Sequence, residues 1–326
     1  MVCETPPIQP GPVTVLQTTQ NLTDRGDRLS RIAGNLPLAD QSRLVKAVPL
    51  PADCLNRLQT AVAIYVWHSL SQAYPARNFD LSTNVLENYE AGVLTLPNRT
   101  PNGLLLPRRE TFLSFNLVQQ ALAATMVSLK LDRSFEAFQA PCNVRIVSGT
   151  ADAKADNRPY ASSKIHTDVW YGEPLRSILF NLPLLGNSGA VAMEFFEPNS
   201  FPAEFQKSLT DYEDGRKIAE SAERLPMRFD IGTLYVSDSL SLHQTVRRES
   251  GIRLSLDWRA IPRERLVSEA DEQIRSRATY VDTERFLAGG STLVFADGDP
   301  LDAFIRRARG ETVGPTHIEV VPLGPS

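Results

Sequence analysis

Five short β-prone runs follow Pro141, and together they are the sequence feature that most constrains the fold. β-Branched and aromatic residues are frequent in each run, and turn residues separate one run from the next. Several short strands at irregular spacing predict an antiparallel sandwich or jelly roll. The runs lie at residues 143–148, 177–184, 190–196, 232–236 and 252–258.

The chain before Pro141 has a helical pattern in two places. In 51–74, apolar residues fall on one stripe, Asp53 can cap the first turn and Pro75 ends the run. In 110–130, apolar residues recur at intervals of three and four. We expect both helices to pack against the sheet and to take no part in chemistry.

Other segments complete a prediction of one domain over residues 1–326, mainly β with flanking helices (α+β). No internal repeat and no linker divides the sequence. The predicted parts are a loose, Pro-rich arm at 1–12, a jelly-roll core at 140–260, a helical insertion with a charged face at 201–224, and a C-terminal decoration at 262–326. That last part is expected to be mostly helical, with a short strand at 292–295.

Charge and composition argue against nucleic-acid and membrane partners. The formal net charge is -4, and the Arg pairs at 108–109, 247–248 and 306–307 are scattered, so no basic stripe for nucleic acid is predicted. Three cysteines are too few for a disulfide framework or a zinc site. No apolar stretch approaches the ~18 residues of a membrane helix, and no secretory signal is visible. We therefore expect a cytoplasmic protein without nucleic-acid or membrane partners.

Two of the four histidines stand in an arrangement typical of a metal site. His166-Thr167-Asp168 is an H-x-D triplet, and His243 follows far downstream. In an extended segment, residues i and i+2 project from the same face, so one stretch can supply two ligands while another strand supplies the third. Two imidazoles and one carboxylate are the ligand set of non-haem Fe(II) oxygenases. His68 and His317 are interpreted as structural or surface residues.

The H-x-D triplet alone is weak evidence, because a histidine in a turn or on the surface can stand in such a triplet by chance. The downstream sequence adds to it: a turn and strand at 230–236 precede His243, and Arg253-Leu254-Ser255 lies inside the last predicted strand. The combined pattern H-x-D…H…R-x-S resembles the 2-oxoglutarate/Fe(II)-dependent oxygenases over residues 140–260. The stretch between the two histidines is long for that family, and the predicted insertion at 201–224 accounts for the excess.

The resemblance implies a double-stranded β-helix with iron near one mouth. It implies His166, Asp168 and His243 as iron ligands and catalytic residues, 2-oxoglutarate and O2 as cosubstrates, and Arg253 and Ser255 as the residues that bind the distal carboxylate of 2-oxoglutarate. A guanidinium fits a carboxylate with a planar fork of donors. Related halogenases carry a small residue at the position of Asp168, so the retained carboxylate favours hydroxylation, desaturation or ring closure.

Further candidates are less specific. Asn143 and Arg145 share a face of the strand before the triplet and either point into the pocket, as a cofactor and a substrate contact, or outward as exposed polar positions. Ser177 and Asn181 could contact 2-oxoglutarate. Trp170 is either a substrate wall or plain core packing.

Three alternative functions stay open. A cupin-type metalloenzyme that does not use 2-oxoglutarate shares the architecture, but it has no use for the Arg253–Ser255 carboxylate clamp. In a non-catalytic jelly-roll binding protein the triplet would be coincidence. A zinc hydrolase could use the same ligands, but no general base is evident beside them. For the oxygenase, we expect a small polar metabolite as substrate, of the kind tailored in natural-product biosynthesis.

Overall fold

A computed structural model of the chain describes residues 12–34, 36–150, 156–266, 280–287, 292–295 and 318–321. For residues 12–20 and for the last two of these segments it describes the backbone only. Among the helices of this described part, none combines the length and the apolar character that crossing a lipid bilayer requires.

Short antiparallel strands dominate the part of the chain after residue 130, as the sequence predicts. Each of the five predicted runs is a strand; besides these and the predicted strand at 292–295, the described part of the chain has seven strands that were not predicted. In chain order the strands are β1 (Asp40–Gln41), β2 (Val45–Pro49), β3 (Phe135–Gln139), β4 (Asn143–Ser148), β5 (Ile178–Gly186), β6 (Val191–Glu197), β7 (Glu223–Arg224), β8 (Thr233–Asp238), β9 (Leu242–Arg247), β10 (Ile252–Pro262), β11 (Tyr280–Asp282), β12 (Thr292–Phe295) and β13 (Ile318–Val321).

Two sheets face each other, and the chain alternates between them. The large sheet has β4, β10, β5 and β8 side by side, extended by β2 and β1 on one edge and by β3 and β11 beside β10. The small sheet has the order β7-β6-β9, and a bridge between His166 and His243 adds one more segment next to β9. This alternation gives the double-stranded β-helix, so the predicted fold class is confirmed.

Strand β10 divides the interior into an apolar and a polar side. Its even-numbered residues, such as Leu254, Leu256 and Trp258, belong to the main hydrophobic core. Because side chains alternate along a strand, Arg253, Ser255, Asp257 and Arg259 project to the opposite face, between the two sheets. All four are buried there. A polar space between the sheets is therefore built into the sequence of this one strand.

Helices cover the outer face of the large sheet. The two predicted helices are confirmed as α2 (Ala52–Ala73) and α5 (Phe112–Ser128), with the short helices α3 (Val85–Asn88) and α4 (Glu90–Leu94) between them. Their buried residues form one hydrophobic core with β5 and β10. The helix α1 (Pro12–Ala33) was not predicted, and most of the predicted arm at 1–12 lies outside the described residues.

The predicted insertion is helical only in short pieces. Residues 201–224 contain two 3₁₀ turns, Ala203–Phe205 and Tyr212–Gly215, then the helix α7 (Arg216–Ser221) and strand β7. A one-turn helix, α6 (Asp168–Tyr171), precedes this segment along the chain. The segment is less helical than predicted, because the buried residues of 201–224 pack against the segment around α6 as separate turns.

The described part of the C-terminal segment is also less helical than predicted. It contains β11, the five-residue helix α8 (Thr283–Leu287), and the antiparallel pair of β12 and β13. The predicted strand at 292–295 is confirmed as β12. Most of the segment that was predicted to be mostly helical lies outside the described residues, at 267–279, 288–291, 296–317 and 322–326.

Candidate active site

The predicted metal ligands meet at one end of the space between the sheets. His166, Asp168 and His243 each offer one ligand atom, and these atoms lie within 4.8 Å of one another. All three residues are buried. The backbones of His166 and His243 exchange two hydrogen bonds, of 3.0 and 2.8 Å, so the strand pairing itself brings the two imidazoles together.

The backbone conformation at Asp168 differs from the extended one that the sequence predicted. Thr167 is extended, but Asp168 is the first residue of α6, so the two ligands of the triplet do not lie on one extended stretch. The Thr167 side chain accepts a hydrogen bond from Val169 N and donates one to Ser239 O, at 3.0 and 2.8 Å. This residue therefore caps α6 and fixes the turn between the ligands to the loop that precedes His243.

Backbone carbonyls fix the tautomer of both histidines. His166 Nδ1 lies 2.7 Å from Lys164 O, and His243 Nδ1 lies 3.3 Å from Ser241 O. Because a carbonyl oxygen can only accept, each Nδ1 must carry the proton, and each Nε2 keeps a lone pair. This is the arrangement in which a second hydrogen bond orients a metal-binding imidazole.

The two oxygens of Asp168 have different partners. Arg259 Nε donates to Oδ2 at 2.9 Å, while Oδ1 lies 3.7 Å from His243 Nε2. Arg259 thus holds the carboxylate in one orientation and leaves Oδ1 on the side of the histidines. The set supplies two imidazole nitrogens and one carboxylate oxygen, which fits a divalent iron.

Electrostatics keep these groups in the protonation states that a metal requires. Burial lowers the pKa of His166 to about 3, and the neighbouring His243 adds to the shift. Burial also lowers the pKa of His243. For Asp168, burial acts to raise the pKa, but Arg259 and the two histidines outweigh it, and the net pKa is lowered. Both imidazoles are therefore neutral and the carboxylate is charged at pH 7.

Arg253 lies on the inward face of β10 with unused donors. It is 0% exposed, and its one hydrogen bond in the described part of the chain runs from Nη1 to Val191 O at 2.9 Å. Its Nε and Nη2 are buried without a partner there. The guanidinium lies over the ring of Phe229, 4.8 Å from the centroid. Burial lowers the pKa of Arg253 to about 9, and Arg145 adds to the shift, so an anion beside it would be strongly favoured.

The remaining predicted cofactor residues lie in the same interior, with different partners. Ser255 follows Arg253 on the inward face and is buried. Asn181, on β5 opposite Asp257, has an Nδ2 that is buried without a partner among the described residues. Ser177 instead donates to Pro174 O at 2.8 Å. Contacts of these residues with 2-oxoglutarate stay predictions.

Asn143 and Arg145 point inward, but a carboxylate already engages both. Asn143 Nδ2 donates to Asp257 Oδ1 at 2.7 Å, and Arg145 Nε donates to Asp257 Oδ2 at 2.8 Å. Arg259 Nη1 also donates to Asp257 Oδ1, at 2.8 Å. Burial acts to raise the pKa of Asp257, but the two arginines outweigh it and lower the pKa. The network links β4 to the partner of Asp168, and the predicted ligand contacts of Asn143 and Arg145 stay predictions.

Trp170 lies directly after the ligands with its ring in packing contacts. It is 0% exposed in a hydrophobic cluster, and its indole N–H donates to Phe205 O at 2.9 Å. Of the two alternatives for this residue, the structure favours core packing. His68 lies on α2, with Nδ1 3.0 Å from Ser114 Oγ, and His317 is outside the described residues.

Sequence reasoning missed three residues that contact the ligands or their partners. Arg259 and Asp257 continue the alternation R-x-S-x-D-x-R of β10, so the pattern that identified Arg253 and Ser255 could have found them. Tyr212 stacks on His166, with ring centroids 4.2 Å apart and planes at 10°. No sequence signal marks that contact, because Tyr212 belongs to the irregular segment 201–224.

Comparisons with known proteins add a likeness of fold. No protein-family model and no curated protein sequence matches the chain. Among solved structures, it is similar to the non-haem alpha-ketoglutarate-dependent carbocyclase SnoK from nogalamycin biosynthesis, with a TM-score of 0.40, 10% identity, and coverage of 75% of this chain and 86% of that one. It is also similar to an N-substituted L-amino acid dioxygenase from Burkholderia ambifaria AMMD (TM-score 0.36, 13% identity, 72% and 91% covered).

EctD from S. alaskensis is a further match, with a TM-score of 0.33, 10% identity, and coverage of 72% of this chain and 80% of that one. At these identities and TM-scores the likeness carries no argument about the reaction. What this chain does has to be inferred from its own site residues.

Proposed function

We propose that this protein is an Fe(II)- and 2-oxoglutarate-dependent oxygenase. The observation that carries the proposal is the pairing, in one buried polar space, of the His166–Asp168–His243 set with Arg253, whose Nε and Nη2 have no partner in the described chain. A metalloenzyme that does not use 2-oxoglutarate would have no need of Arg253, and an unpaired buried guanidinium is costly. A dicarboxylate cosubstrate supplies the missing partner.

The residues present fit the iron and the cosubstrate. Nε2 of His166, Nε2 of His243 and Oδ1 of Asp168 would hold Fe(II), and three ligands leave further positions open for 2-oxoglutarate and O2. Iron bound there would supply the oxidation chemistry, in which one atom of O2 enters succinate, the other ends in a hydroxylated product or in water, CO2 leaves from 2-oxoglutarate, and the substrate loses two electrons.

The chain's own groups bind and orient the reactants. Arg253 would pair with the distal carboxylate of 2-oxoglutarate, because two adjacent N–H donors suit two carboxylate oxygens. The ring of Phe229 covers one face of the guanidinium, and Tyr235 stacks on Phe229 and on Phe195, so apolar rings lie on that side of Arg253. Arg259 holds Asp168 in place, so the ligand set is formed before the metal binds.

We further propose a small polar metabolite as substrate and hydroxylation, desaturation or ring closure as the reaction. Charged and amide side chains occupy the space beside the ligands, which suits a polar compound of small size. Asp168 fills the third ligand position with a carboxylate, and that leaves no place for a halide.

Anaerobic calorimetry tests the function. Mn(II) and then 2-oxoglutarate are titrated into the wild type, His166→Ala, His243→Ala and the control His68→Ala. We expect the wild type and the control to bind both ligands, and the two site variants to lose metal binding. Thermal melts of the apo forms should change little. With Fe(II), ascorbate and O2, the wild type should also convert 2-oxoglutarate slowly to succinate without substrate. A wild type that binds no 2-oxoglutarate in the presence of metal contradicts the proposal.

A further inference from the structure

The imidazole of His166 lies between two other rings. On one side the ring of Tyr212 is nearly parallel to it, at 4.2 Å and 10°. On the other side is His243, at 4.4 Å and 54°. Tyr212 is 5% exposed. Its hydroxyl makes no hydrogen bond within the part of the chain that the structure describes, so the ring itself makes the contact.

Tyr212 is held there by the docking of its segment on the residues around the metal ligands. Tyr212 N donates to Pro159 O at 3.1 Å, and Leu209 N donates to Trp170 O at 3.0 Å. In the opposite direction, Trp170 Nε1 donates to Phe205 O at 2.9 Å. These hydrogen bonds lie before and after the H-x-D triplet along the chain.

Two side chains extend this contact surface. The hydroxyl of Tyr160 donates to Leu209 O at 2.8 Å, and its ring packs edge-on against Tyr212. Lys164 Nζ lies 2.9 Å from Asp211 Oδ1, while the carbonyl of the same lysine accepts from His166 Nδ1. The segment 203–215 therefore contacts the residue that orients His166 as well as His166 itself.

Gly215 marks how closely the two segments approach. A Cβ at this position would lie 2.2 Å from the Trp170 ring. The backbone at Gly215 has φ -93 and ψ 4, which other residues tolerate, so the requirement for glycine comes from the contact and not from the conformation.

We propose that Tyr212 is a positioning residue for the metal centre and that segment 203–215 serves to place it. This inference rests on the proposed function. The hydrogen bond from Nδ1 to Lys164 O sets the tautomer of His166 but still allows the ring to tilt about that bond. The flat contact with Tyr212 fixes the plane, so that Nε2 points at the position shared with Asp168 and His243. Removing a hydrogen-bonding partner of a metal ligand changes metal affinity by about 10–100-fold, and we expect the stacked ring that orients the same imidazole to lie at the lower end of that range.

Co(II) titration tests the inference, because the visible absorption of Co(II) reports its ligand geometry without turnover. We expect Tyr212→Leu to weaken Co(II) binding on the order of tenfold and to change the spectrum. Tyr212→Phe keeps the ring and should match the wild type in both. The matched control is Tyr89→Leu, which removes a ring that packs edge-on against Phe79 at 5.0 Å, outside the site. It should leave Co(II) affinity unchanged.

A second variant covers the case in which Tyr212→Leu does not fold. Gly215→Ala keeps the tyrosine but pushes the turn away from Trp170, so it should also weaken Co(II) binding and alter the spectrum. Wild-type affinity and spectrum in Tyr212→Leu, or in Gly215→Ala where the leucine variant is unfolded, would overturn the inference and leave the proposed function intact. A wild type that binds Co(II) no better than His166→Ala would instead contradict the proposed function.

Discussion

Arg253 lies on the inward face of β10 with two nitrogens that lack a partner in the described chain, and its removal has a defined expected effect. Arg253→Ala should weaken 2-oxoglutarate binding to the Mn(II) form by about 2–4 kcal/mol, because a charge-assisted contact in a desolvated site is lost. That corresponds to roughly 30- to 700-fold in Kd. Arg253→Lys should restore only part of the lost 2-oxoglutarate affinity, since an ammonium group cannot reproduce the planar fork of donors.

The measurement is a pair of titrations, Mn(II) alone and then 2-oxoglutarate into the Mn(II) form. Metal affinity should barely change, because Arg253 is not a ligand. Arg224→Ala, at an exposed ion pair with Glu194, serves as the control and should behave as the wild type. Unchanged 2-oxoglutarate affinity in Arg253→Ala would favour a metalloenzyme of another kind. Loss of metal binding as well would give Arg253 a structural role.

At the scale of single residues, the sequence predicts the site as far as strand periodicity and ligand chemistry reach. The H-x-D triplet and His243 follow from residue types and order, and Arg253 follows from the resemblance to the 2-oxoglutarate/Fe(II)-dependent oxygenases. Tyr212 does not, because its contact with His166 depends on how an irregular segment folds back onto the triplet. Asp257 could be predicted in part. The alternation of β10 places its side chain inward, but only the structure shows that it joins Arg145 to Arg259.

Among the helices and strands, α1 was not predicted, and its buried residues show the reason. Its buried face includes Leu22, Leu29 and Ala33 at helical spacing, but Arg25 and Arg28 lie between them and are 0% exposed. Both arginines pair with Asp238, at 2.9 and 3.3 Å. Two charged residues interrupt the apolar stripe by which a helix is recognised. A carboxylate more than 200 positions downstream in the chain pairs with both of them, and no local pattern reveals it.

Asp238 also connects α1 to the metal ligands. It ends β8, and its backbone carbonyl accepts from Ser241 N at 2.9 Å in the turn that leads to His243. Asp238→Asn would remove the carboxylate that both buried arginines share, and we expect it to lower the free energy of unfolding by about 3–5 kcal/mol. Urea denaturation of the apo protein measures this.

The same substitution at an exposed position provides the control for Asp238. Asp230 pairs with Arg228 at 3.4 Å, and both side chains are largely exposed. Asp230→Asn should change the free energy of unfolding by no more than about 0.5 kcal/mol. An equal, small effect of both substitutions would show that the buried cluster does not stabilise α1 on the barrel.

For the whole molecule, the fold class was predictable but the pairing of strands was not. Five β-prone runs between turn residues indicate an antiparallel sandwich or jelly roll, while the double-stranded β-helix came from the family resemblance. Strand β9 has a mixed sequence, Leu-His-Gln-Thr-Val-Arg, and gave no strand signal. Yet β9 carries His243 and forms the small sheet with β6. The alternation between sheets becomes visible only when β9 and the bridge at His166 are included.

The stability of the whole apo protein should depend on pH through the two buried imidazoles. Burial lowers the pKa of His166 to about 3, and the pKa of His243 is lowered as well. In the unfolded chain both histidines titrate near 6.5. Between these values the unfolded state binds protons that the folded state does not, so the free energy of unfolding falls as the pH falls below about 6.5.

The size of this effect can be measured by urea denaturation of the apo protein at pH 7, 6 and 5. His166 alone should lower the free energy of unfolding by about 2 kcal/mol between pH 6.5 and 5, at ~1.4 kcal/mol per pH unit. The carboxylates with lowered pKa, Asp168 and Asp257, contribute stability above their unfolded pKa near 4 and lose it only at lower pH, so they add little in this window. His166→Gln should therefore show a clearly smaller decrease from pH 7 to pH 5 than the wild type. An identical pH dependence in wild type and His166→Gln would mean that His166 is not held in its neutral form by burial.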